Sequence, residues 1–154
     1  MDALAVARDT PATPDVQALL SRHFEIMRAS SPEESCHVMK PDALLEKGAV
    51  LFAARAADVL LGVGALAPLA DGQGELKSMH TSAEARGRGV GRAILLALLD
   101  HARVQGMSRV SLETGTAELF APARALYAAH GFVACPPFGS YVTDPLSVFM
   151  TRTV

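Results

Sequence analysis

Seven consecutive residues, Arg86-Gly87-Arg88-Gly89-Val90-Gly91-Arg92, constrain the fold more than any other stretch. They follow a strand-like segment and open directly into the most apolar helical run of the chain, Ala93 to Leu99. Glycines at a strand-to-helix junction let backbone N–H groups turn outward and cradle an anion, with the helix dipole behind them. Three arginines and the absence of any acid between Glu84 and Asp100 make the junction cationic, although the formal net charge is −2. A diphosphate group is the guest such a loop predicts. No Gly-Lys-Ser/Thr follows the glycines, which argues against a phosphate-loop nucleotide hydrolase. Their mid-chain place and spacing also differ from the dinucleotide fingerprint G-x-G-x-x-G.

Periodicity predicts what surrounds the loop. Ala3 to Ala7 reads as a short strand, and Val16, Leu19, Leu20, Phe24 and Met27 place a helix from Pro14 to about Ser30. A brief helix follows from Pro41 to about Lys47. Ala49–Ala54 and Val59–Leu66 form an antiparallel hairpin, and Asp71-Gly72-Gln73-Gly74 turns the chain into the strand Glu75–Thr81. In that strand Leu76 and Met79 are both natural core residues but lie three apart, so a strict period of two cannot bury both. Either a β-bulge near Lys77-Ser78 reconciles them, or one of the two faces a covering helix. The helix opening at Val90 carries Ile94, Leu95, Leu98 and Ala102 as its stripe and ends near Gly106. Then come a strand at Arg109–Thr114, a helix beginning at Pro122 and ending at Gly131, a strand at Phe132–Cys135, a turn-rich loop and a closing strand at Ser147–Thr153. Early consecutive strands predict antiparallel pairing, and the later crossovers require at least one parallel step. The class is a mixed α/β (α+β) fold.

Length and composition narrow the function classes. At 154 residues, one domain spanning 1–154 is expected, and a 50% hydrophobic content argues against disorder. Nearly balanced charge argues against nucleic acid as a partner. Cys36 and Cys135 form neither a disulfide framework nor a metal spacing, so no metal is expected. The first ten residues carry an acid at position 2 and lack a signal-peptide core, and the longest apolar run falls short of a membrane span. A soluble, cytoplasmic protein without a membrane partner is the expectation.

The loop Arg86-x-x-Gly89-x-Gly91 matches the Gln/Arg-x-x-Gly-x-Gly/Ala loop of the GNAT superfamily of acyl-CoA-dependent N-acyltransferases. Glu75-Leu76-Lys77-Ser78-Met79-His80-Thr81 resembles that family's fourth strand, which carries a bulge, and Leu126-Tyr127 to Gly131-Phe132 resembles its Leu-Tyr-x-x-x-Gly-Phe signature. Glu113-Thr114-Gly115, Ala121-Pro122-Ala123-Arg124 and the Gly139–Ser147 loop resemble a group of small, mostly uncharacterised bacterial members. The resemblance implies a central, mixed, mostly antiparallel sheet of six to seven strands flanked by about four helices. It implies acetyl transfer from acetyl-CoA to a primary amine of a small molecule or peptide, by direct attack in a ternary complex and without a metal. A CoA-binding sensor or interaction module without turnover is the alternative. Family members are often homodimers, and nothing in this sequence decides that.

Carried over residue by residue, the resemblance assigns the pyrophosphate to Arg86, Gly87, Arg88, Gly89, Val90, Gly91 and Arg92. The pantetheine arm and the oxyanion fall to the backbone of Met79, His80 and Thr81. Tyr127 corresponds to the tyrosine near the CoA sulfur, placed to protonate the leaving thiolate. Glu75 resembles a glutamate that acts as general base, with Glu113 and His80 as alternatives. Many members place an asparagine seven residues before the tyrosine, but this chain has Phe120 there. A neutral amine attacks a positioned thioester readily, so Cys36 and Cys135 are not needed as acyl carriers. The acceptor side falls to loops 31–37 and 136–144, where Glu34, His37 and Tyr141 are the substrate-binding candidates, alongside Glu33, Phe138 and Asp144.

Overall fold

In the computed structural model, which describes residues 3–32, 37–38 and 40–154, the chain runs through seven strands and four helices. The order is β1 (Ala5–Asp9), α1 (Pro14–Ser30), α2 (Pro41–Glu46), β2 (Val50–Ala56), β3 (Val59–Leu69) and β4 (Gln73–Thr81). Then follow α3 (Val90–Val104), β5 (Arg109–Gly115), α4 (Ala121–Ala129), β6 (Val133–Ala134) and β7 (Ser147–Thr153). One mixed sheet holds all seven strands in the order β1-β2-β3-β4-β5-β7-β6. Every neighbouring pair is antiparallel except β4 and β5, the single parallel step, which α3 bridges as a crossover.

That parallel pair is short. Only Gln73–Leu76 pairs with Arg109–Leu112, although β4 continues to Thr81 and β5 to Gly115. Past the fourth rung the strands part, leaving an opening between them.

The bulge of β4 widens the opening. Val63 pairs with His80 and Ala65 with Lys77, so Ser78 and Met79 stand together against Gly64, two residues opposite one. Ser78 takes φ +55°, rare for a residue with a side chain. The insertion shifts the strand's phase, and Leu76 and Met79 both join the core beneath α3. Gly64 permits the close approach there: a Cβ at that position would lie 2.4 Å from Met79 Sδ and 2.7 Å from Ile94 Cγ2.

Two hydrophobic layers cover the sheet. On one face Ile94, Leu95, Leu98 and Leu99 of α3 pack with Leu66, Leu76, Val110, Leu112, Tyr127 and Phe132. On the other, Val16 and Leu20 of α1 and Leu44 of α2 pack on Leu51, Ala53, Val63 and Ala65. Pro14 opens α1, and Asp15 in its first turn pairs with Arg55 at 2.6 Å, the same guanidinium reaching Asp9 of β1 at 3.1 Å. These pairs pin the start of α1 to the β1–β2 edge. The last strands differ from expectation in extent: the Phe132–Cys135 strand shrinks to Val133–Ala134, while β3 runs on to Leu69 through Pro68.

Candidate active site

The glycine-arginine loop leaves the N-terminus of α3 without a side-chain cap. Gly89 occupies the N-cap at φ +79°, ψ 14°, a left-handed conformation that costs other residues about 1 kcal/mol. No side chain caps the helix and its first turn holds no acid. The first N–H groups of α3 therefore keep their donor capacity for a ligand. A cavity of about 580 Å³ begins at these groups and is lined by Arg86, Gly87, Gly89, Val90, Gly91 and Arg92. It continues past Met79, His80 and Thr81 of β4 to Leu126 and Tyr127 of α4. Every donor-side residue singled out from the sequence lines it except Arg88, which is exposed.

A second, smaller cavity of about 120 Å³ lies at the parting of β4 and β5. Met27, Met79, Phe120, Ala123 and Tyr127 line both, so the two spaces meet at the bulge and the face of α4. Tyr127 is 5% exposed, and burial pushes its phenol well above the usual range, so it stays protonated at neutral pH. Phe120 packs on bare backbone: a Cβ on Gly115 would sit 2.3 Å from its ring. Arg124 secures this corner by donating to the carbonyl oxygens of Gly115 at 2.6 Å and Ala117 at 3.0 Å. The position that carries asparagine in many GNAT proteins is thus an apolar wall between the two cavities.

The smaller cavity holds a buried polar cluster. Glu75 and Lys77 share a face of β4, two residues apart. Lys77 Nζ donates to Glu75 Oε2 at 3.3 Å, and both side chains are only 9% exposed. The Tyr141 hydroxyl donates to the same carboxylate oxygen at 2.5 Å, and Lys77 donates to the Tyr141 oxygen at 3.0 Å. His37 and Phe138 meet the Tyr141 ring edge-on at centroid distances of 5.0 and 5.1 Å. Glu113 lines the same cavity from β5, and burial raises its pKa from 4.5 to about 7. Ser147 and Lys77 pull that value down, while the charges of Glu75 and Asp144 push it up. Ser78 Oγ, at the bulge, is buried without a hydrogen-bond partner. Among the described residues no group of three or more potential metal ligands gathers.

The structure therefore brings together Glu75, Glu113, Tyr127, Tyr141 and His37. Glu34 lies outside the described residues, as do Glu33 and Cys36. His80 lines the larger cavity but is also tied to a partner the sequence did not suggest. Its Nδ1 lies 3.1 Å from Nδ1 of buried His23, and burial lowers both imidazoles to about 4. Lys77 and His23 were both missed. Two signals were available: the Glu75-x-Lys77 alternation, and the place of His23 in the Val16, Leu20, His23, Met27 stripe.

Comparison with known proteins agrees with this geometry. The model of the acetyltransferase (GNAT) family matches residues 14–132. The chain is 41% identical over 137 residues to the uncharacterized N-acetyltransferase YsnE of Bacillus subtilis, covering 89% of this chain and 91% of the relative. It is 38% identical over 149 residues to the uncharacterized N-acetyltransferase YedL of Escherichia coli, with 97% and 94% covered. It is 35% identical over 153 residues to an IAA acetyltransferase of Azospirillum brasilense, with 99% of each covered. Among solved structures, a Klebsiella pneumoniae protein assigned as an acyl-CoA N-acyltransferase superposes with a TM-score of 0.78 at 26% identity over 97% of both chains. A GNAT acetyltransferase of Elizabethkingia anophelis, solved with acetyl-CoA bound, shares the fold with a TM-score of 0.73 at 17% identity over the full length of both. With its parted β4–β5 pair, its bulge and its uncapped glycine-loop helix, this chain belongs to the acetyltransferase (GNAT) family and is an N-acetyltransferase.

Proposed function

We propose that this N-acetyltransferase acylates the primary amine of a small molecule in a ternary complex, with Glu113 as general base and Tyr127 as general acid. The observation that carries the reading is the meeting of the two cavities at Tyr127 and Met79, with Glu113 lining only the smaller one. The larger cavity suits acetyl-CoA: an uncapped helix terminus with Arg86 and Arg92 for the diphosphate, and an elongated path toward α4 for the pantetheine arm. Acetyl-CoA supplies the activated thioester. Glu113 takes a proton from the acceptor ammonium, and the amine nitrogen bonds to the thioester carbonyl carbon. Backbone N–H groups at the Ser78–Met79 bulge, where the ladder is interrupted, receive the developing oxyanion. The carbon–sulfur bond then breaks, Tyr127 gives its proton to the departing sulfur, and the excess proton on the new amide nitrogen returns to the Tyr127 oxygen, leaving an amide, a thiol and the one proton that Glu113 releases to solvent.

Glu113 is preferred to Glu75 for a geometric reason. Tyr141 and Lys77 already donate to the Glu75 Oε2 atom, so an ammonium would have to compete with both. Glu75 instead orients Lys77 and Tyr141. The size of the smaller cavity favours a small molecule over a peptide. The test is free-thiol release from acetyl-CoA against a panel of small primary amines, with the N-acetylated product identified by mass spectrometry. Tight acetyl-CoA binding with no amine-dependent thiol release would refute the reading.

A further inference from the structure

From the placement of the buried Lys77 ammonium across from the half-buried Glu113 carboxylate, both lining the smaller cavity, we propose that the acceptor is a small α-amino acid, its carboxylate held by Lys77 and its amino group by Glu113. This rests on the acyl-transfer reading above and narrows it to a substrate class.

The strand register places the two groups together. The last parallel rung pairs Leu76 with Leu112, and the next residue on each strand is Lys77 and Glu113. They flank the point where β4 and β5 part, one residue beyond the last paired rung and on one face of the sheet. Each lines the same small cavity, and the Lys77 charge draws the pKa of Glu113 downward. One small molecule can touch both.

Lys77 needs an explanation of its own. A lysine ammonium is costly to bury, and this one is 9% exposed with a carboxylate and a phenol as its bonded partners. Those two bonds use two of its three N–H donors. A purely amine-binding pocket gains nothing from a cation, because the ammonium of the acceptor would be repelled by it. A zwitterion gains at both ends. Its dipole lies antiparallel to the Lys77–Glu113 dipole, and its entry adds no net charge to a buried site. Once Glu113 has taken the proton, the substrate carboxylate still has Lys77 as its anchor. The neutral amine is then free to approach the thioester between Met79 and Tyr127. Glu75 and Tyr141 hold the Lys77 ammonium in place for this task, which gives the Tyr141–Glu75–Lys77 chain a purpose beyond packing. The buried, unpartnered Ser78 hydroxyl lines the same cavity and offers one more polar contact.

The experiment compares kcat/KM for three ligands of the wild-type enzyme: alanine, alaninamide and ethylamine. Alaninamide isolates the carboxylate, because its amine is less basic than that of alanine and therefore more available for attack. Alanine is expected to exceed both by about 10- to 100-fold, the value of one charge-assisted hydrogen bond. In Lys77→Met the ratio of alanine to alaninamide should fall to near one, and in Lys77→Arg it should stay above it. Alaninamide or ethylamine reacting as well as alanine in the wild type overturns the proposal while leaving acyl transfer intact. That wild-type comparison needs no variant to fold. If no amine of any kind raises thiol release, the acyl-transfer reading falls, and this proposal falls with it.

Discussion

Replacing Glu113 by glutamine removes the titrating group while keeping its shape and a hydrogen-bonding end. In the wild type, burial sets the pKa of Glu113 at about 7, against 4.5 for a solvated glutamate. A base with that value is about one-tenth ionised at pH 6 and about nine-tenths at pH 8, so kcat/KM should climb through a limb centred near 7. Glu113→Gln should lose that limb and about 10²- to 10⁴-fold in rate, the usual contribution of a positioned base. Stability should move the other way. The folded pKa lies above the unfolded one, so Glu113 favours folding fully below about pH 4.5, and that contribution is lost as pH rises through about 7. At ~1.4 kcal/mol per unit, discounted for partial solvent contact, ionising it costs the native state about 2 kcal/mol at pH 8. The variant should therefore melt several degrees above wild type at pH 8 and close to it at pH 4.5. Thiol-release profiles from pH 5.5 to 9 and thermal melts at the two pH values measure both effects. A variant with wild-type rate and an unshifted limb would refute the assignment, because the limb would then belong to a group other than Glu113.

Tyr127→Phe keeps the packing of a 5%-exposed ring and removes only the acid, so kcat should fall by about 10²-fold or more while acetyl-CoA affinity measured by calorimetry stays within a few-fold. Gly89→Ala places a Cβ at φ +79°, where nothing crowds it, so the effect is purely conformational. About 1 kcal/mol of strain at the α3 N-cap should weaken acetyl-CoA binding severalfold with little change in kcat for saturated enzyme. Gly115→Ala sets a methyl group against the Phe120 ring and should cost about 1–3 kcal/mol in urea unfolding. A silent Gly115→Ala would mean that Phe120 swings away freely and does not wall one cavity from the other.

Much of this architecture was legible because several signals coincided. The phase conflict between Leu76 and Met79 pointed to the bulge, since only an inserted residue lets both reach the α3 core. The Ala93–Leu99 run and the glycines before it located α3 and its anion-binding end. Other features depend on contacts that a linear reading cannot supply. Lys77 looked like a residue marking the bulge, because its importance comes from Tyr141, 64 positions away. The pKa of Glu113 comes from burial at the strand split, and no local sequence pattern encodes that. The β2–β3 hairpin, by contrast, was legible from its two apolar runs, although Ala57 and Asp58 form its turn with φ of +48° and +65°, where glycine or asparagine is the usual cue. β6 begins only at Val133 because the Phe132 N–H donates to the Tyr127 carbonyl of α4 at 3.1 Å.

The contact between His23 and His80 carries a consequence in proton accounting. A neutral imidazole has one N–H and one bare nitrogen, so two rings meeting Nδ1 to Nδ1 at 3.1 Å must be opposite tautomers. One carries its hydrogen in the bridge and the other carries it on Nε2. With both rings uncharged at neutral pH, a single hydrogen joins helix α1 to strand β4, and moving it across the bridge obliges both outer nitrogens to exchange roles. His23 lines the smaller cavity and His80 the larger. The shared hydrogen thus joins residues that line different cavities, and nitrogen chemical shifts of the two rings would report it as a matched, inverted pair.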